Sequence, residues 1–394
     1  MVAALTRVFG VHRLALAEDV VQDAFVRALE VWKARGVPDN PAAWLMATAR
    51  NRALDVLRRE RTAHTLAPDA PDESSLDGAF DAPAIRDEQL RMMFSCCDPR
   101  LPEDAQVALV LNILCGFGAA EIASAFLAGR AAVEKRIARG KRTLAASRHL
   151  FDLADADFAP RLTAVRRALY LLFNEGYHGA SPERAVRAEL CGEAIRLTEL
   201  LLAHPPAATP TTHALAALMC LHAARLPART DAAGDLSPLA EQPRAAWDAR
   251  LLGAGLAHLE RSAAGTEVSA YHVEAAIAAA HASAARAEDT DWATIVALYD
   301  RLMAVAPSPV VALNRAIAVA ERDGAARGLD ALGAIEGRER LAGYPFYPAA
   351  LGELALRSGD RPRAESHFRD ALSLARNAAE RRFIERKLRA CEAR

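Results

Sequence analysis

The sequence predicts an all-α fold. Alanine is abundant throughout the chain and runs of β-branched residues are few, a composition that favours helix over sheet. No stretch of alternating apolar and polar residues is long enough to predict a strand. The 394 residues, of which 52% are hydrophobic, suffice for two or three domains with buried cores.

Composition narrows the class of function. The formal net charge is -1, so a surface for nucleic acid has to be local rather than a property of the whole chain. The longest apolar runs are short and interrupted, which predicts no membrane span. The N-terminus lacks the positive start and the apolar core of a signal peptide. We therefore expect a cytoplasmic protein.

The usual signatures of metal, redox and catalytic sites are missing from the sequence. The six cysteines form no CxxC pair, and Cys96 and Cys97 have no histidine close by. Buried, unreactive thiols are the favoured interpretation, with a metal or redox site as the alternative. Because no phosphate-binding glycine loop, HExxH or GxSxG occurs, an enzyme is the weakest hypothesis, and no cofactor or metal is predicted.

The helix predicted from Leu14 to Trp32 has two different faces. Its apolar face is formed by Ala17, Val20, Val21, Ala24 and Ala28. Its opposite face carries Asp19, Gln22, Asp23 and Glu30. This acidic face either binds a partner or is solvated and paired with nearby arginines, and both interpretations stay open.

The stretch from Asn40 to Arg61 predicts the helix around which the chain is organised. Asn40 suits the N-cap and Pro41 the first helical position. The arc predicted to pack contains Leu45, Met46, Ala49, Ala53, Val56 and Leu57. The opposite arc carries Trp44, Thr48, Asn51, Arg52, Asp55, Arg58 and Arg59. This arc suits nucleic acid, because guanidinium groups bind phosphates, an amide hydrogen-bonds to a base edge and an aromatic ring stacks on an unpaired base. The alternative is a solvated charged face.

A second basic helix favours the nucleic-acid interpretation. Residues 63–88 are proline-containing and acidic, which predicts a flexible linker, and order is predicted to return at Gln89.

A helix-turn-helix pattern follows the linker. It consists of predicted helices at 102–115, 119–126 and 130–147, with a tight turn at 127–129. Its predicted core consists of Ile122, Phe126, Val133 and Ile137. Its third helix is strongly basic, with Arg130, Lys135, Arg136, Arg139, Lys141, Arg142 and Arg148 against Glu134, which favours contact with DNA.

The remainder, from Pro160 onward, is predicted to be helical throughout. One polar group there follows an apolar helix and consists of Asn174, Glu175, Tyr177 and His178. The favoured interpretation is a helix end with Gly176 at a left-handed cap position, and the alternative is a pocket or docking site.

The last third of the chain suggests internal repeats. The spacing of Gly352, Ala364, Phe368 and Ala371 is typical of a tetratricopeptide repeat. Residues 291–307 end a predicted earlier unit, with Tyr299 in the Phe position and Pro307 closing it. Residues 310–320 and 328–335 are predicted to form a further helical pair. A helical solenoid with a concave binding surface is therefore predicted.

Two segments resemble bacterial RNA polymerase sigma factors of the extracytoplasmic-function type. Their region two resembles the stretches LAEDVVQDAFVRALEVW (16–32) and NPAAWLMATARNRALDVLRRE (40–60). Their region four resembles the stretch LPEDAQVALVLNILCGFGAAEIASAFLAGRAAVEKRIARGKRTL (101–144). LYLLFNEGY (169–177), with 291–320 and 380–388, resembles the subgroup that carries a long tetratricopeptide-type C-terminal extension. The chain begins late in the first helix of region two, which implies that this helix is short or starts upstream.

The resemblance implies a partner for each surface. Asp19, Gln22 and Asp23 match the helix that docks on the clamp helices of the large subunit of RNA polymerase core. The helix that engages the minus-ten element of promoter DNA is matched by Trp44, Asn51, Arg52, Asp55, Arg58 and Arg59. The recognition helix for the minus-thirty-five element is matched by Arg130, Val133, Glu134, Lys135, Arg136 and Arg139, with Arg136, Arg139 and Lys141 as phosphate contacts. Glu134 stands where the family commonly has a basic residue, and it either reads a cytosine or avoids a base.

We therefore predict four parts: region two at 1–62, an acidic linker at 63–88, region four at 89–150, and a tetratricopeptide-like regulatory domain at 160–394. The predicted function is a sigma factor that directs core polymerase to specific promoters and is regulated by its own C-terminal domain. Asn174, Glu175 and Tyr177 are the candidate regulatory residues, with a protein or ligand as their partner. The alternative is a helix-turn-helix regulator whose repeat domain senses a ligand or protein.

Overall fold

Most of the described residues of the protein lie in helices. The computed structural model describes residues 1–62, 82–126, 128–146, 158–178, 186–231 and 234–392. Within these ranges there is no β-strand, only an isolated bridge between Thr230 and Leu236. The predicted all-α class is confirmed. The chain divides into two compact units, Met1–Ala168 and Leu169–Arg394.

The first unit contains two groups of helices. They are α1 (Val2–Phe9), α2 (Leu14–Arg35), α3 (Pro41–Thr62), α4 (Ala82–Cys96), α5 (Glu103–Ile113), α6 (Ala119–Ala125), α7 (Arg130–Ala145) and the start of α8 (Phe158–His178). In one group α1 packs on α2 and α4, and α2 packs on α3; in the other α7 packs on α5 and α6. The division between the units falls within α8.

The boundaries of α2 and α3 follow from local chemistry. The Asn40 Oδ1 accepts a hydrogen bond from the Ala43 N–H at 3.0 Å, so Asn40 caps α3 as predicted, and Pro41 opens the helix. At the end of α2, Gly36 has φ +82° and donates its N–H to the Trp32 carbonyl at 2.9 Å. Only glycine adopts this conformation without strain, so the chain turns here between the two helices.

The core of the first group is small and apolar. Leu5 and Phe9 from α1, Val20 from α2, and Ala53 and Leu57 from α3 are buried together. Ala53 and Leu57 belong, with Ala49, to the arc of α3 that was predicted to pack, and that prediction is confirmed. The opposite arc of α3 is thereby turned away from the core.

The start of α4 differs from the prediction. We predicted that order returns at Gln89, whereas α4 begins at Ala82, so the last residues of the predicted linker, 82–88, are helical. Proline is tolerated in the first turn of a helix, and Pro83 is the second residue of α4, so its presence there does not stop the helix. The rest of the predicted linker, 63–81, lies outside the described residues.

The helix-turn-helix prediction is confirmed for α6 and α7. Ile122, Val133 and Ile137 are buried between these helices, as predicted. A Cβ atom at Gly140 would lie 2.8 Å from the Leu109 Cδ1, so this glycine allows α7 to approach α5 closely. Leu127, in the predicted turn, and Arg148, after the predicted third helix, lie outside the described residues.

The second unit is an array of helices. After the end of α8 its helices are α9 (Ala188–Leu202), α10 (Pro210–Ala223), α11 (Leu226–Arg229), α12 (Ala249–Ser262), α13 (Ala270–Ser283), α14 (Trp292–Val305), α15 (Pro309–Asp323), α16 (Ala325–Gly333), α17 (Phe346–Arg357), α18 (Arg361–Ser373) and α19 (Ala378–Glu392). From α13 onward each helix packs on the next one. The last helix, α19, returns to the segment after α11, where the Arg386 Nη2 donates to the Leu236 carbonyl at 2.7 Å and Arg382 pairs with Asp235.

The repeat-like spacing corresponds to a real helix contact. A Cβ atom at Gly352 would lie 2.9 Å from the Phe368 ring, so the absence of a side chain on α17 makes room for Phe368 on α18. The predicted pair at 310–320 and 328–335 is present as α15 and α16. The helix pairs are thus confirmed, while their assignment to the tetratricopeptide class stays a prediction.

The favoured interpretation of Gly176 is wrong. Gly176 lies inside α8, which continues to His178, and it is not among the described glycines with positive φ. A Cβ atom at this position would lie 2.8 Å from the Arg187 carbonyl oxygen and 2.8 Å from the Cys191 N. The glycine therefore allows the backbone at the start of α9 to touch α8, rather than ending the helix.

A pair of hydrogen-bonded histidines lies beside Glu199 in the second unit. The His258 Nε2 lies 3.0 Å from the Glu199 Oε1, and the His258 Nδ1 lies 3.0 Å from the His213 Nδ1. Since the carboxylate only accepts, the His258 Nε2 donates to Glu199, and in that tautomer the His258 Nδ1 accepts from His213. Burial, followed by the neighbouring His258, lowers the pKa of His213 below its ordinary 6.5. The hydrogen bond from His258 lowers the pKa of Glu199.

We expect the contribution of His213 to the free energy of unfolding to fall as the pH drops below about 6.5, because the unfolded chain takes up the His213 proton more readily than the folded chain. Replacement of His213 by Asn removes this term, which we place below about 1 kcal/mol because the group is partly exposed. Denaturant unfolding of both proteins at pH 7.5 and pH 5.5 measures it. The same pH slope in both would contradict this assignment.

Candidate polymerase- and DNA-binding surfaces

The acidic face of α2 lies beside α3. Asp19, Gln22 and Asp23 are exposed, and together with Arg52 they border a cleft of about 330 Å³. The Asp23 Oδ2 accepts a hydrogen bond from the Arg52 Nε at 2.7 Å. The structure thus joins the residue matched to polymerase docking and a residue matched to the minus-ten element. The pair is exposed and adds little to stability.

An apolar patch extends this acidic face along α2. Phe25 is 50% exposed, Val26 is 55% exposed and Leu29 is 74% exposed. Exposed apolar side chains that lie side by side on one helix commonly mark a site of protein contact. These residues were not predicted as functional, although their spacing of three and four positions, outside the packed arc, was a usable signal.

The outward face of α3 is polar and mostly exposed. Asn51, Asp55, Arg58 and Arg59 are exposed, whereas Trp44 is half-buried. The rings of Trp44 and Trp32 make an edge-to-face contact with centroids 5.5 Å apart. The structure therefore places the predicted minus-ten residues on one side of α3, but Trp44 lies against α2 rather than standing free.

The outward face of α7 carries fewer unengaged cations than its sequence suggests. Lys135 and Arg139 are exposed. Arg130 and Glu134 pair with each other, with the Arg130 Nε 2.8 Å from the Glu134 Oε1. That contact offers a simpler reason for Glu134 than base reading, because oppositely charged residues four positions apart stabilise a helix.

Two other residues of α7 are held by neighbouring helices. The Arg136 guanidinium lies 5.8 Å from the Phe126 ring centroid and its Nη1 is 4.0 Å from the Asp104 Oδ2. Val133 is fully buried, so its side chain belongs to the core, and we remove it from the predicted DNA contacts.

The ion pair between α7 and α2 was not anticipated from the sequence. The Lys141 Nζ lies 2.6 Å from the Glu18 Oε1 and 2.8 Å from the Glu18 Oε2, with both side chains largely covered. Lys141 was assigned to a DNA phosphate, yet in this conformation its charge is neutralised within the unit. A phosphate contact by Lys141 requires this pair to separate.

The three candidate regulatory residues do not form one site. Asn174 and Tyr177 lie on one side of α8, whereas Glu175 points elsewhere and is only 8% exposed. Tyr177 is 2% exposed and contacts the rings of Phe173 and His222. Asn174 hydrogen-bonds with Tyr170.

The cysteines are free thiols and most of them are buried. Cys96, Cys97, Cys191, Cys220 and Cys391 have little or no exposed surface, as the favoured interpretation predicted. Burial raises the pKa of the Cys96 thiol, so it stays protonated.

In the ranges that the structure describes, no helix combines the length and the apolar character needed to cross a membrane.

Comparison with known proteins agrees with this geometry. Residues 1–63, which include α1 to α3, match the model of sigma-70 region 2. Residues 91–144, which include α5, α6 and all but the last residue of α7, match that of sigma-70 region 4. The chain belongs to the sigma-70 family. The resemblance to sigma factors with a C-terminal extension is thereby confirmed.

The extension of this sigma-70 family protein matches a further family. Residues 161–263 match a family of unknown function, DUF6596, which spans the chain from α8 to the end of α12. An uncharacterized protein of Rhizobium meliloti (strain 1021) is 41% identical over 392 residues, covering 98% of this chain and 92% of that protein. The similarity thus includes both sigma regions and the extension.

Proposed function

We propose that this protein is an RNA polymerase sigma factor that directs core polymerase to specific promoters and begins their opening. The main support for the proposal is that the two sigma-70 regions carry exposed surfaces suited to binding polymerase and DNA. An exposed acidic and apolar face occupies α2, and exposed cationic faces occupy α3 and α7. In this role the chain contributes the free energy of binding to polymerase and DNA, while the polymerase catalyses transcription. Since its partners are polymerase and the chromosome, we place it in the bacterial cytoplasm.

The polymerase contact in this proposal is the face of α2. Asp19, Gln22 and Asp23 supply charge and hydrogen bonds, and Phe25 with Leu29 supply apolar area that water leaves on docking. A polar rim beside an apolar centre is typical of protein interfaces. The partner is the clamp-helix segment of the large polymerase subunit.

The promoter contacts are divided between α3 and α7. On α3, Asn51, Arg58 and Arg59 face outward and suit the phosphates and unpaired bases of an opening minus-ten element. Trp44 can stack on a base only after it moves from Trp32. On α7, Lys135 and Arg139 face outward and suit the major groove at the minus-thirty-five element.

Replacement of Arg139 by Ala is expected to weaken promoter binding at every sequence and to lower the slope of log K against log salt by about 0.9, because one phosphate contact is lost. Binding of the holoenzyme to a promoter fragment over a sodium chloride series measures the slope. Arg327→Ala, which removes an exposed arginine of α16, is the matched control. A slope unchanged from the native protein would remove Arg139 from the phosphate contacts.

We also propose that the C-terminal helical unit regulates initiation. The support is its size and its continuity with the sigma regions over almost the whole length of the rhizobial relative. Both parts lie on one chain, so their concentrations and positions are coupled. A regulator with a ligand- or protein-sensing repeat domain is the alternative function.

Transcription in vitro from fragmented genomic DNA, using core polymerase with and without the protein, tests the proposal. New discrete start sites that require the protein are expected, and their upstream sequences give both promoter elements. If the protein binds DNA but gives no starts of its own, the conventional regulator is favoured. Comparison with a chain that ends near residue 150 shows whether the extension raises or lowers initiation.

A further inference from the structure

Three arginines of the second unit lie close together, and none of them has an acidic partner among the described residues. We call Arg225, Arg229 and Arg244 the arginine cluster. The Arg229 Cζ lies 4.1 Å from the centroid of the Tyr177 ring. The Arg244 Cζ and the Arg225 Cζ lie 4.2 Å and 5.5 Å from the Trp247 ring. Aromatic rings thus hold each guanidinium group in place.

The charge of the arginine cluster is not neutralised by the described part of the chain. Within it, none of these three residues forms an ion pair with a carboxylate. Arg229 donates to the Tyr177 carbonyl at 3.2 Å and lies 2.9 Å from the His178 Nδ1, and Arg225 makes only a 3.5 Å contact with the Gln242 Oε1. Burial, followed by the neighbouring Arg229 and Arg244 among the cations, lowers the pKa of Arg225. Like charges are therefore held near each other at a cost to the fold.

Buried hydrogen-bond donors surround the same cluster. Tyr177 is 2% exposed and Trp247 is 6% exposed, and neither the Tyr177 Oη nor the Trp247 Nε1 has a partner among the described residues. The Arg244 Nε and Nη1 are likewise buried without a partner there. A buried donor that makes no hydrogen bond costs about 1–3 kcal/mol. Several such donors beside three cations indicate that an acceptor belongs in this place.

Two neutral histidines complete the surroundings. The His222 ring lies edge-to-face against Tyr177 with centroids 5.1 Å apart, and His281 is close enough to Arg225 and Arg244 to feel their charge. Burial, then the nearby arginines, lowers the pKa of His222 to about 3 and that of His281 to about 4. The positive charge of the site at neutral pH therefore comes from the arginines.

We propose that the arginine cluster is a binding site for a small ligand that carries a phosphate or carboxylate group. An oxyanion accepts several hydrogen bonds and neutralises guanidinium charge, which are the two requirements that the protein leaves unmet here. The donors are buried between helices, so the phosphates of a DNA duplex do not reach them. All three arginines lie within the match to the family of unknown function, outside the sigma regions. The inference goes beyond the proposed function and does not depend on it.

Thermal unfolding and calorimetry of the full chain test the site. Inorganic phosphate and malonate are titrated separately, each against sodium chloride at the same ionic strength. A saturable rise in melting temperature with at least one anion is expected. A response to phosphate alone identifies a phosphate site, and a response to malonate alone a carboxylate site. A response to both shows that any oxyanion is accepted, while no saturable response to either overturns the proposal.

Variants locate the binding in the arginine cluster. Arg244→Met and Arg229→Met are each expected to weaken binding at least tenfold, whereas Arg301→Met, which removes an exposed arginine of α14, should leave it unchanged. Circular dichroism without ligand checks the fold. Should a Met variant fail to fold, Arg244→Lys keeps the charge but loses the forked donors, and it should still weaken binding. Native affinity in a folded variant of the cluster overturns the proposal.

Discussion

A single methyl group at position 176 is expected to lower the melting temperature of the second unit by roughly 6–12 °C, corresponding to about 3 kcal/mol. The Cβ atom of Gly176→Ala would lie 2.8 Å from the Arg187 carbonyl oxygen, the Cys191 N and the Cys191 Sγ. Two of these atoms belong to the backbone, so the start of α9 has to move away from α8. The Arg187 N–H also donates to the Gly176 carbonyl at 2.7 Å, and that hydrogen bond would be strained by the same movement.

The matched control for this substitution is Gly192→Ala. Gly192 lies in the exposed face of α9. Apart from its chain neighbours and the backbone of its own helix, no atom lies within 4 Å of the place that an alanine methyl group would occupy, so alanine there should stabilise the helix by about 0.5–1 kcal/mol. Thermal unfolding of both variants by circular dichroism gives the comparison. Equal melting temperatures would show that the contact between α8 and α9 is not tight.

The second large effect is expected in polymerase binding. Replacement of Asp23 by Arg should weaken association with core polymerase at least about tenfold, because it reverses a charge in the centre of the proposed interface. It also places a second cation beside Arg52, whose Nε now lies 2.7 Å from the Asp23 Oδ2. The native pair is exposed, so the free energy of unfolding should change by no more than about 1 kcal/mol.

Asp39→Arg makes the same charge change in the exposed loop between α2 and α3 and serves as its control. Co-purification with core polymerase and a fluorescence titration measure both variants. Normal association of the folded Asp23→Arg protein would count against docking through this face of α2. A loss in both variants would indicate a general effect of charge rather than a local contact.

Local chemistry was enough to predict the helices that carry the proposed sigma surfaces. Asn40 and Pro41 mark the start of α3, and the period of its apolar residues separates the packed arc from the polar one. The basic character of α7 and its place after a short helix are also properties of neighbouring residues. Capping and helical periodicity depend on residues within a few positions of one another, so both can be recognised in the sequence alone.

The roles of individual side chains were less predictable. Val133 matched a recognition helix by position but is fully buried, and Lys141 pairs with Glu18, more than a hundred residues earlier. Gly176 suggested a cap, which is the commonest use of glycine near a helix end, whereas its true neighbour is the backbone of another helix. None of these contacts has a local signature.

The amino-acid sequence was sufficient to predict the all-α class, the approximate boundaries of most helices in the sigma regions, and the family to which the chain belongs. The tertiary structure was needed to show which cations stay exposed on α7, why position 176 requires glycine, and that Arg225, Arg229 and Arg244 lie in one cluster. Helix formation depends on residues three or four positions apart, so a short stretch of chain is enough to predict it. The arginine cluster is formed by residues that are distant in the sequence and that only helix packing brings together. Its unbalanced charge therefore cannot be recognised from the sequence.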